Sequence, residues 1–175
     1  MNMKKIWLYI FFALCVLALS GFIYQLIPKI TIRAIGNLTE LQKKFSLYNA
    51  NIFSIGDNAV FIEQHYIGSY QVVVFGSFAD DILTIRNHPE VRNFKIDHSG
   101  EPFYLPHFVK ENISDEQLRS YRVRPSREEG LYTLVDSDGT TVDRTDHISF
   151  RIRGSRHEIH MDPQSKRFVL LTNAR

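Results

Sequence analysis

Between Ile6 and Ile27 the chain runs for 22 residues without a charged side chain, and this stretch constrains everything that follows it. A helix of that length rises roughly 33 Å, against about 30 Å of hydrocarbon in a bilayer. Lys4 and Lys5 precede it, and Trp7, Tyr9 and Tyr24 lie toward its ends, where amphipathic rings favour the membrane–water boundary. A soluble core helix next to a polar domain is not apolar around its whole circumference. The expectation is a signal anchor: residues 1–5 as a cytoplasmic tail, 6–27 as a single transmembrane helix in contact with lipid, and 28–175 as one extracytoplasmic domain.

The competing reading is a cleaved export signal. Lys4 and Lys5 make a charged start, and "ALS" at 18–20 resembles a small-residue cleavage site. The product would be secreted or periplasmic after cleavage near Ser20, but it would begin with "GFIYQLI", which has no evident core to join. For orientation, Lys4 and Lys5 argue for an inside N-terminus, whereas Lys29, Arg33, Lys43 and Lys44 lie near the other end. The short tail gives export machinery little to move, so an N-in, C-out topology is expected. Cys15, the one cysteine, sits inside the apolar run. The exported part therefore relies on burial rather than disulfides. Compact anchor and missing disulfides together suit a bacterial inner membrane with the domain in the periplasm.

Setting aside Lys4 and Lys5 leaves 19 basic residues against 19 acidic ones. Nucleic-acid binding needs a basic excess to displace phosphate counterions, so that class is excluded. Arginine is nonetheless concentrated: "RSYRVRPSREE" brings together Arg119, Arg122, Arg124 and Arg127 around Pro125. Guanidinium groups suit a partner's carboxylates, anionic sugars or lipid headgroups. The plain alternative is a solvated loop balanced by Glu128 and Glu129.

Along the exported part, "NLTELQKKFSLYNAN" predicts a short helix, with Thr39 and Gln42 at capping-box spacing. "NIFSI", "AVFIEQHYI" and "YQVVVF" predict strands, the last two joined through Gly68-Ser69. "GSFADDILTIRNHP" reads as a helix and "VRNFKID" as a strand, an order compatible with a parallel crossover. Gly76 stands alone there, so no nucleotide loop is indicated. Residues 99–112 are the expected connector between two halves. Their Phe103, Tyr104 and Phe108 either form a contact loop or tuck into the core. Ser114 and Gln117 repeat the capping-box spacing. Further hairpins are expected at Asp138-Gly139 and at Gly154-Ser155, with "RFVLLT" as the last strand. The fold class is thus α+β, with a mainly antiparallel sheet and two or three short helices.

Placing the last loop at Gly154-Ser155 opposes Ile152 to His157, Ser149 to His160 and His147 to Asp162. Ile148, Phe150, Ile152, Ile159 and Met161 then share one face, and His147, Ser149, Arg151, Glu158, His160 and Asp162 the other. "HEIH" is not a single-ion motif, since His157 and His160 point to opposite faces of a strand. The polar face does collect His147, His160 and Asp162, with Glu158 nearby, a set able to hold zinc or another divalent ion. Its plain alternative is a solvated sheet face with no bound cofactor.

No acid–base pair, nucleophile elbow or exported cysteine nucleophile stands out. The expected function is therefore protein binding at the envelope, as in an immunity protein, an inhibitor or an envelope complex. Arg119, Arg122, Arg124, Arg127, Phe103 and Tyr104 are the candidate contact residues. The alternative is a metal-dependent or other envelope hydrolase centred on the histidines.

Overall fold

The computed structural model describes residues 3–35, 59–66, 69–78, 83–98, 102–152 and 154–174. Helix α1 (Met3–Leu26) is followed, after Ile27 and Pro28, by strand β1 (Lys29–Ile35). Every described side chain of α1 from Tyr9 to Tyr24 is exposed except Cys15, which is half-buried. Among the described residues no helix is long and apolar enough to cross a membrane. The spanning role expected for residues 6–27 does not follow from these residues alone. The helix expected over 37–51 and the strand over 51–55 lie outside the described residues.

The rest is α+β, built on a seven-stranded sheet in the order β1-β2-β3-β10-β9-β8-β4. Its further strands are β2 (Ala59–Tyr66), β3 (Ser69–Ser77), β4 (Arg92–Asp97), β8 (Asp146–Ile152), β9 (Ser155–Met161) and β10 (Arg167–Ala174). All neighbours are antiparallel. The expected crossover unit is corrected accordingly. β3 and β4 do point the same way, but β10, β9 and β8 stand between them. The helix expected there is a single described turn, α2 (Leu83–Arg86).

Both faces of this sheet are covered. On one, Phe61, Val74, Ile159 and Phe168 pack with Ile85 of α2 and with Val91. The other carries a three-stranded sheet, β5-β7-β6, from β5 (Phe103–Tyr104), β6 (Val123–Pro125) and β7 (Leu131–Leu134), with helices α3 (His107–Asn112) and α4 (Asp115–Ser120). Phe103, Leu105, Phe108, Leu118 and Leu134 meet Ile62, Val73, Phe75, Val169 and Leu171 of the large sheet in one apolar cluster. The capping box at α4 is present: Gln117 N–H donates to Ser114 Oγ at 3.2 Å, and Ser114 N–H to Gln117 Oε1 at 3.0 Å. The Asp138-Gly139 turn also forms, but it closes only a Val135–Thr141 bridge rather than two strands.

Both glycine–serine hairpins turn one residue earlier than expected. Tyr66 pairs with Ser69 and Ile152 with Ser155, so each serine opens a strand rather than completing a loop. Gly154 takes φ +86°, at the second loop position. That is the left-handed conformation glycine adopts without steric penalty. The shift moves each cross-strand partner by two residues and so keeps every side chain on its expected face. Outermost strand β4 is bulged between Arg92 and Lys95, and Asn93 has φ +55°.

Candidate functional site

Register builds the site. One row of side chains crosses six strands on a single face: Asp97, His147, His160, Val169, Phe75, Val60. His147 and His160 are therefore direct cross-strand neighbours, and their rings stack with centroids 4.8 Å apart. Glu158, two residues before His160 on β9, shares the face. The ligating atoms of His147, Glu158 and His160 all lie within 4.8 Å of one another.

The solvated sheet face expected here is corrected, because β5 lies over it. Phe103 stacks on His160 with centroids 4.5 Å apart, and His160 is buried. Burial, and next the neighbouring His147, push the His160 pKa down to about 3, since a dry site disfavours the imidazolium. His160 is thus a neutral imidazole at ordinary pH, the form that ligates metals. Glu158 is half-buried and accepts from Arg156, Nη2 to Oε1 at 2.6 Å.

Of the three expected ligands, the structure brings together His147 and His160 but engages Asp162 elsewhere. The Asp162 carboxylate accepts from Gln164 N–H at 2.9 Å, Ser165 N–H at 3.2 Å and the Ser165 hydroxyl, holding the turn into β10. Glu158 takes the third place. His157, on the opposite face, is fully buried against Phe150, its Nδ1 3.0 Å from Thr172 Oγ1. Burial lowers its pKa to about 4. A histidine among Ile148, Phe150 and Ile159 in the alternation was the signal for it.

The arginine segment forms a second surface. Arg119, Arg122 and Arg124 line a hollow of about 480 Å³ with Ser137, Asp138 and Gly139. An adjoining hollow of about 520 Å³ is lined by Arg124, Arg127, Glu128 and Thr141. Two of the four arginines are braces. Arg122 Nη1 donates to Asp136 O at 2.9 Å, and Arg124 donates to Gly139 O at 2.9 Å and Thr141 Oγ1 at 2.5 Å. Arg119 and Arg127 are exposed and make no ion pair among the described residues. Of the expected contact aromatics, Phe103 is corrected to a core residue, because it closes the cluster over His160. Tyr104 is exposed, with Lys110 Nζ 4.3 Å from its ring.

Compared with family models, curated proteins and solved structures, the chain matches none of them.

Proposed function

We propose that this chain is a membrane-anchored, extracytoplasmic binding domain that seats an acidic segment of a protein partner in its two arginine-lined hollows. The observation that carries the reading is the shared wall: Arg124 and Pro125 border both hollows, and four arginines line them within one short segment. Arg122 and Arg124 are held in place by backbone carbonyls, which reduces the entropy lost when a carboxylate docks. Arg119 and Arg127 supply exposed charge on either side.

The anchor reading rests on α1. Phe12 is 70% exposed and Leu17 is 66% exposed, and apolar side chains emerge all around the helix, a surface that lipid rather than water suits. At its end Lys29 Nζ lies 5.1 Å from the Tyr24 ring, a basic–aromatic pair of the kind found at membrane boundaries. Ser20 sits inside the continuous helix, its hydroxyl donating to Leu17 O at 2.9 Å; the anchor in this reading is uncleaved and lies in the inner membrane, N-terminus inside.

The test is affinity capture from detergent-solubilised membranes with the full chain and with an Arg119→Glu/Arg127→Glu variant. A stoichiometric partner lost on charge reversal supports the reading. Equal recovery by both chains, or no partner, overturns it. A second reading, an envelope hydrolase, is favoured by the convergence of His147, Glu158 and His160. It requires a hydrolytic activity that His147→Gln abolishes while the fold persists.

A further inference from the structure

We propose that His147, Glu158 and His160 form a site for one divalent transition-metal ion of the zinc class. The inference stands on its own geometry and does not depend on the docking surface. It would also hold if the protein catalyses nothing.

The ligand set comes from two paired strands rather than from a loop. The β8–β9 register sets His147 opposite His160, and the strand period of two brings Glu158 to the same face. Sites carried on strands hold their geometry better than sites on loops. His160 is the fixed member, buried and stacked with Phe103. His147 and Glu158 are half-buried rather than locked in the core. Tetrahedral zinc with bonds of about 2.0–2.1 Å holds its ligand atoms about 3.3 Å apart. From a spread of at most 4.8 Å, rotations of the His147 ring and the Glu158 carboxylate supply the closure while the backbone stays in place.

Chemistry selects the class of ion. Two imidazoles and one carboxylate suit zinc and its first-row neighbours, whereas calcium and magnesium take sets made almost wholly of oxygen. Three protein ligands leave a further coordination position, as in sites that bind water or a partner's side chain. Asp97 occupies the next position of the row beyond His147. Arg156 holds Glu158 Oε1; its side chain is 61% exposed, so it can swing into solvent when the ion arrives.

A competing explanation for metal uptake is the exposed His107–Glu111 pair on α3, one helical turn apart at 3.2 Å. The experiment separates the two. Full-length chain in detergent micelles is stripped with a chelator and titrated with Co²⁺, read by its visible d–d absorption and by displacement with Zn²⁺. The expected result is one equivalent of Co²⁺ in a tetrahedral-type spectrum that Zn²⁺ removes. His147→Gln and Glu158→Gln, both half-buried positions, should each weaken binding by at least about 10–100-fold, the range lost when even an outer-sphere partner is removed. Thermal unfolding of the metal-free variants checks that each is folded. His107→Ala should bind as the parent does. Absence of the spectrum, undiminished binding in folded His147→Gln and Glu158→Gln, or loss of binding in His107→Ala would each overturn the site.

Discussion

Phe103 lies over His160 with ring centroids 4.5 Å apart and an interplanar angle of 21°, and at that contact the small sheet closes on the large one. A phenyl ring over an imidazole excludes water from the histidine and fixes its plane, so a packing contact and a chemical property are set together.

Truncating Phe103 to alanine should therefore act twice. The buried ring leaves a cavity, and losses of about 3–5 kcal/mol are usual for such changes. Water entering the gap should also raise the His160 pKa from its depressed value toward the ordinary range. Urea unfolding gives the first quantity and histidine NMR titration the second. An unchanged midpoint with an unchanged titration would contradict the packing described.

Stability should fall as the solution becomes acidic. His157 and His160 have folded pKa values depressed to about 4 and about 3, below the unfolded value of about 6.5. Their contribution is fully present above pH 6.5, where both states hold neutral imidazoles. Below it the unfolded chain takes up protons that the folded chain refuses, and the contribution drains away as pH falls through the folded pKa values. For His157 the whole effect is on the order of 3 kcal/mol. Unfolding free energies measured at pH 7 and pH 4.5 check the sign. In His157→Leu the dependence should be shallower by about one proton, and an identical slope would remove His157 from the account.

Gly154→Ala tests the tight hairpin. No atom lies within 4 Å of the added Cβ, so any loss comes from φ +86° alone. About 1–2 kcal/mol is expected from the left-handed penalty, read as a shift in the unfolding midpoint. Gly154→Asn, which tolerates that region better, should lose less.

Ser114→Ala removes one half of the α4 capping box and should destabilise by about 1 kcal/mol. Ser114→Asp should restore most of the loss, because an aspartate oxygen can accept from Gln117 N–H. A clear thermal shift for alanine and a much smaller one for aspartate is the expected pattern.

The faces of the last hairpin were legible in the sequence, and its partners were not. Alternation between Ile148 and Met161 fixes which side chains share a face, and a loop displaced by one residue leaves that parity intact. What moved was the pairing, from Ser149–His160 to His147–His160, because glycine takes the second loop position rather than the first. That single displacement brings the two histidines side by side. The cover over them was written elsewhere, in β3 and β10. "VVVF" at 72–75 and "FVLL" at 168–171 are apolar on both faces, the mark of a sheet packed on both sides. The role of Asp162 was out of reach, since its competing partners, Gln164 and Ser165, act through turn geometry that spacing alone does not reveal.

At Asn93 the outermost strand breaks step with its neighbour. A straight unpaired strand at a sheet edge invites another copy to zip on through its backbone amides. The kink denies that template. Along β4, therefore, a second copy of this chain finds no regular backbone ladder to extend.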